Sequence, residues 1–227
     1  NPDLTAEALA LAAEALCRDR SALSPVAANR QIYDLLRDGV KVRWHADDGD
    51  ETVETVCVID WDHPDRNDFF LASQFRITGE IYKRRADLVL FVNGLPLVLV
   101  EAKTPVRNSV SWFDGAKQIH DDYERFVPEL FACSVFSVAT EGKDLHYGAV
   151  HTPLDQWGPW RADEALTAGG LVDMKKAVES LLRPNIILDM LANFTGLAIG
   201  GLTMGTICKL LIVNTEEKTN NTPELPF

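Results

Sequence analysis

Three charged side chains stand where a stretch of otherwise apolar sequence begins and ends. In "DLVLFVNGLPLVLVEAKTP", residues 87–105, Asp87 opens one apolar run, and a second run closes on Glu101, Ala102 and Lys103. Two carboxylates with a nearby backbone carbonyl, here that of Ala102, suit Mg²⁺, which prefers oxygen ligands and keeps several waters. A lysine beside such an ion can orient or deprotonate a water, while the ion neutralises charge building on a phosphodiester. The set therefore points to phosphodiester hydrolysis. Any one of the three alone reads as a solvated charge at a strand end. Together, at one end of one hairpin, they read as a site.

The hairpin itself is signalled by Asn93-Gly94 between the two runs, the residue pair that tight turns favour. Glu101 and Lys103 are two apart and so share a face of their strand. Asp87 sets a condition on the register. With a plain two-residue loop, Val92 would pair with Leu95, Ala86 would face Glu101, and Asp87 would point to the other side. An odd loop, or one bulge, puts both carboxylates on one face. One of the two is therefore expected.

Around this hairpin the pattern is mixed. Ala and Leu at helical spacing with a Thr-x-Glu start predict a helix over 4–17 with Thr5 as N-cap. A second helix is expected from about Asn29 to Arg37, closed by Gly39. "VKVRW", "TVETVCVIDW" and "FFLASQFRIT" read as strands, residues 111–126 as a helix, "ACSVFSVAT" as a buried strand and "DLHYGAV" as an edge strand. Asp60, Asp62 and Asp68 flank a loop and suit capping and turn roles. Two helices, split by Arg183-Pro184, follow a Pro-, Trp- and Gly-rich connection over 152–170, where Trp157 and Trp160 suit packing. The sum is an α/β or α+β sheet covered by helices.

Several of these segments, taken in order, resemble a known family. "NRQIYDLLRDGVKV", "CVIDWDHPDRNDFFLASQFRI", "RRADLVLFVNGLPLVLVEAKTP", "AKQIHDDYERFVPELF" and "SVATEGKDLHYG" are similar to the R (restriction and translocation) subunit of type I restriction–modification enzymes. Asp87 with Glu101-Ala-Lys103 resembles the PD-(D/E)xK nuclease motif. The resemblance runs from about Asn29 to Phe194. It implies a restriction-endonuclease-like mixed β-sheet flanked by helices. With the helix read over 4–17 and an end that resembles nothing in the family, the expected division is an N-terminal helical segment over 1–25, a nuclease domain over 26–155, a connector with helices over 156–195 leading toward an absent motor domain, and a divergent tail over 196–227. Asp87 and Glu101 would bind Mg²⁺ and Lys103 would position the attacking water. Gln118 would contact DNA or order the metal site. The family's usual QxxxY pairing has four intervening residues here, Gln118 to Tyr123, and at that spacing the two do not share an α-helical face. Double-stranded DNA is the implied substrate, and the methyltransferase and specificity subunits are the implied partners, in the cytoplasm. Lys83, Arg84, Arg85, Arg107, Lys117 and Tyr123 are the residues expected at the DNA. Seven basic residues against four acidic ones between Arg76 and Lys117 agree with that. ATP would serve only a full-length relative, because no G-x-x-x-x-G-K-S/T occurs in this sequence. A non-catalytic remnant that docks on the complex or binds DNA, and a standalone nuclease of the same superfold, are the competing readings.

Other readings are weaker. The net charge of -12 argues against non-specific coating of nucleic acid, which needs many Lys/Arg–phosphate contacts. It leaves room for a local basic surface. Cys17, Cys57, Cys133 and Cys208 have no metal-ligand spacing and read as reduced core thiols. His146 and His151 lack a third ligand for zinc, and His120 reads as a surface residue. The uncharged run from Met190 to Cys208 holds several Gly and Thr and is not expected to span a membrane. A start at Asn1 and not at Met reads as a fragment or a processed chain.

Overall fold

The structure, a computed structural model, describes residues 4–45, 50–79, 81–107, 109–160 and 174–193. Helix α1 (Ala6–Cys17) starts at Thr5, whose side chain accepts from the Ala8 N–H at 3.1 Å. Helix α2 (Pro25–Asp38) begins earlier than its periodicity indicates. Ser24 caps it and Pro25 occupies its first turn, where the missing N–H is no loss. Among the described residues, strands β1 (Val40–His45) and β2 (Glu51–Val56) pair only with each other. β2 stops at Val56, short of the "CVIDW" expected to continue it. Helix α1 packs on this pair through Ala8 and Ala12 against Val40, Val42 and Val56.

The main sheet has six strands in the order β3 (Phe69–Thr78), β4 (Lys83–Val92), β5 (Leu95–Ala102), β6 (Phe136–Thr140), β7 (Leu145–Ala149) and β8 (Gly158–Pro159). All neighbours are antiparallel except β5 and β6. A parallel pair needs a crossover, and helix α3, residues 112–126, supplies it. The sheet is therefore mixed, as the resemblance implied. β7 is not an edge strand, because the two-residue β8 pairs along its outer side.

Each face of the sheet has its own core. One face packs Leu90, Val92, Leu97, Val98 and Val100 under α2 and under helices α4 (Met174–Leu181) and α5 (Pro184–Asn193). The other packs Ala86, Val89 and Leu99 against Ala116, Ile119 and Tyr123 of α3. Trp157 is buried in this second core, and Trp160 lies edge-on to Tyr147. Cys17 and Cys57 are exposed and so are not the core thiols expected, whereas Cys133 is half-buried and packs against the main core. No helix among the described residues is long and apolar enough to cross a membrane. The strand-like "TICKLLIV" and the tail lie outside the described residues.

The β4–β5 turn is the tight two-residue form, with positive φ at both Asn93 (51°) and Gly94 (82°). Asn93 is held from below: its Nδ2 donates to the Val58 carbonyl and to Asn67 Oδ1, each at 2.8 Å, and its Oδ1 accepts from the Asp68 N–H at 2.7 Å. Asp60 Oδ1 accepts from the His63 N–H at 3.0 Å, the turn role expected of it. Gly94→Ala leaves every contact in place, since nothing lies within 4 Å of the added methyl. It should still destabilise the chain by about 1–2 kcal/mol, through its left-handed backbone alone. Urea unfolding of the two chains measures the difference.

Candidate functional site

The register decides whether the two carboxylates meet. From the turn, Val92 pairs with Leu95 and Phe91 with Pro96, but Leu90 pairs with Val98. Leu97 is the extra residue of a β-bulge. Leu97 and Val98, adjacent in sequence, accordingly pack into the same core cluster. The ladder runs on in the new register to Leu88↔Val100, so the next position sets Asp87 level with Glu101. A tight turn and an odd register thus coexist, because the parity change sits in the strand.

Glu101 is only 3% exposed. Its Oε1 accepts from Lys103 Nζ at 2.9 Å. Burial is the main cause that pushes the Glu101 carboxyl above its usual range, against the lowering effect of Lys103. Asp87 is half-buried and both its oxygens accept hydrogen bonds, Oδ1 from Gln74 Nε2 and Oδ2 from the Ala102 N–H, each at 3.0 Å. Lys103 Nζ also donates to Gln118 Oε1. The Gln118 amide then donates to the Tyr123 hydroxyl at 2.6 Å. The Tyr123 hydroxyl can donate to the Arg85 carbonyl at 3.0 Å or to Glu101 Oε2 at 3.4 Å. Glu101, Lys103, Gln118 and Tyr123 form one closed network.

Helix α3 reaches this network by two devices. Gly115 lies where an added Cβ would be 3.3 Å from the Ala139 Cβ and 3.4 Å from the Glu101 carbonyl oxygen. Its missing side chain lets the helix rest on the end of β5. Then the helix changes period: Trp112–Lys117 is α-helical, Gln118–Tyr123 is π-helical and Glu124–Phe126 is α-helical again. A π turn bonds residues five apart. The four-residue spacing that separates Gln118 from Tyr123 on an α-helix is thereby absorbed, and their side chains touch.

Not every expected residue is at the surface. Tyr123 is 2% exposed, and burial raises its hydroxyl well above the usual range, so it stays protonated beneath the carboxylate and faces no outside ligand. Arg84 is committed to Asp122 of α3 through two bonds of 2.8 and 2.6 Å and lies over the Phe126 ring. Lys83, Arg85, Arg107 and Lys117 are exposed. The β3–β4 ribbon continues beyond the last β4–β5 pair, from Phe75↔Ala86 to Thr78↔Lys83. On it Arg76 lies directly across from Arg85, with Lys83 two residues along the same face. The side chains of Arg76, Lys83 and Arg85 form no ion pair among the described residues. Like charges placed opposite one another on a ribbon repel. Arg76 and Gln74 are the residues that motif reading overlooked. A strand partner is visible only once the register is known.

The histidines have other partners. His151 Nδ1 lies 2.9 Å from Glu124 Oε2, the His146 ring stacks on Trp112 at 3.6 Å, and His120 lies beside Asp121. No group of three or more His, Cys, Asp or Glu among the described residues is set to hold a metal ion. The donor set expected at the hairpin end is two carboxylates and the Ala102 carbonyl. That set fits Mg²⁺, which needs one or two carboxylates and fills its other positions with water.

Comparison with known proteins gives the family. The chain belongs to the type I restriction enzyme R protein N terminus family, which matches residues 1–156. It is 30% identical over 174 residues to the type I restriction enzyme HindI endonuclease subunit of Haemophilus influenzae, covering 74% of this chain and 16% of that protein. It is 29% identical over 142 residues to the putative type I restriction enzyme MjaIXP endonuclease subunit of Methanocaldococcus jannaschii, covering 59% of this chain and 13% of that protein. The matched part is thus a sixth or less of either relative.

The π turn can be tested by length. Deleting Asp121, which is exposed, should turn residues 118–123 into ordinary α-helix and keep Gln118 against Tyr123. The unfolding free energy should stay within about 1 kcal/mol of the parent chain. A deletion variant that fails to fold would show that the extra residue is not absorbed there.

Proposed function

We propose that this chain is a Mg²⁺-dependent endonuclease module of a type I restriction enzyme R subunit, hydrolysing phosphodiester bonds of double-stranded DNA. The observation that carries this reading is the bulge-corrected register, which sets Asp87 level with Glu101 at the strand end where Lys103 is anchored. Asp87, Glu101 and the Ala102 carbonyl would hold Mg²⁺, which when bound neutralises charge on the phosphodiester. The Lys103 ammonium, fixed between Glu101 and Gln118, donates to the attacking water and directs it at phosphorus. Gln118, Tyr123 and Gly115 act behind it by holding the lysine and the glutamate in place. Arg85 and Lys83, with Arg76, meet the DNA backbone. A phosphate between Arg76 and Arg85 relieves the repulsion that the apo ribbon carries. Arg107 and Lys117 extend the basic surface. In the cell the module works in the cytoplasm, with the methyltransferase and specificity subunits of the complex, and the specificity subunit reads the DNA site.

A supercoiled-plasmid nicking assay with Mg²⁺ or Mn²⁺ tests the site. Asp87→Ala and Lys103→Ala should each lower the rate by about 100-fold or more. Equal rates in the parent chain and both variants would mean a contaminating nuclease and defeat the assignment. For the ribbon, Lys83→Ala and Arg85→Ala should each weaken duplex binding without sequence preference. Each should also reduce the slope of log affinity against log salt by about 1, measured by fluorescence anisotropy.

A further inference from the structure

We propose that Gln74 is a positioning residue for Asp87, a role that rests on the metal site proposed above. Three observations converge on it. First, β3 and β4 pair without a gap from Phe69↔Val92 to Thr78↔Lys83 except at Gln74, the position opposite Asp87. Second, Gln74 has φ of 52°, a left-handed backbone that an unbranched, non-glycine residue adopts at a cost in free energy. The other non-glycine residues with positive φ among those described have visible reasons. Asn93 sits in the tight turn, and His151 directs both its N–H and its ring to Glu124. Gln74 stands in the middle of a ten-residue strand. Third, among the described residues its side chain bonds only Asp87 Oδ1, at 3.0 Å.

The same place breaks the alternation of β4. Ala86 and Val89, three apart, pack into one core cluster together with Ile77, with Phe75 against it. The strand therefore turns over at Asp87, and Gln74 is the matching irregularity on the partner strand. The result is a carboxylate gripped from two directions, by the Gln74 amide and the Ala102 N–H. Both donors are neutral. A lysine or arginine at position 74 would also fix the carboxylate, but it would cancel the charge that a cation needs. An amide aims the carboxylate and leaves its charge free. Outer partners of this kind orient a metal's ligands, and their loss weakens metal affinity by about 10- to 100-fold.

The test separates strain from positioning, using the full chain, Mn²⁺ alone and isothermal titration calorimetry, with thermal unfolding in metal-free buffer. Gln74→Gly removes both the amide and the strained backbone. It should melt at or above the parent temperature while binding Mn²⁺ about tenfold more weakly. Gln74→Met keeps the length and the backbone but lacks the donor, and should weaken Mn²⁺ to a similar extent. A residue that only supported the strand would show the reverse in Gln74→Gly: lower stability and unchanged affinity. Mn²⁺ affinity within twofold of the parent in both variants, with binding lost in Asp87→Ala, overturns the role of Gln74 alone. Equal Mn²⁺ binding by the parent and Asp87→Ala overturns the metal site itself, and the role of Gln74 with it.

Discussion

The structure depends on the parity of one hairpin. Side chains alternate along a strand, so a single residue decides which face every later side chain occupies. Leu97 is that residue. It lies at the far end of the hairpin from the carboxylates, near the turn, and the ladder carries its effect along β5 to Glu101. The core keeps it there. Leu97 and Val98 are both fully buried on the same side, and a slip that removed the bulge would move one of them off that face. Hydrophobic packing at one end of the hairpin thus fixes polar geometry at the other.

Placing Glu101 in the core has consequences for everything around it. A buried carboxylate needs partners, since the low local dielectric penalises any charge left alone. Lys103 supplies the charge, Gln118 holds Lys103, and Tyr123 holds Gln118 while touching the ribbon through the Arg85 carbonyl. Each member can fulfil only the bonds that its neighbours allow, so the set is stiff as a unit. Gly115 makes this possible by letting α3 lie close to the strand end.

Much of this was legible in the sequence. The helices, the hairpin and the mixed sheet follow from periodicity, turn residues and the resemblance of ordered segments. The need for a parity change was legible too, because Asp87 and Glu101 demand a common face. Where the change would occur was not, since a bulge at Leu97 leaves no signature in a run of Leu, Val and Pro. Tyr123, expected at the DNA from the resemblance, is buried instead, and the π turn that lets its hydroxyl meet Gln118 has no signal in local spacing. Arg84, expected at the DNA, is bound instead to Asp122, a partner 38 residues away that no local pattern shows. Gln74 could not be found at all from local pattern, for its meaning lies in the strand across from it. Residues whose roles are set by neighbours distant in the chain are those that single-sequence reading misses.

The π turn also bears on how such sequences are compared. In this chain four residues lie between the glutamine and the tyrosine, and the π turn still brings their side chains together. An extra residue at that point is therefore taken up as a change in winding. Motif spacing on a helix is an elastic measure, and a search that insists on a fixed interval will pass over chains in which the two side chains still touch.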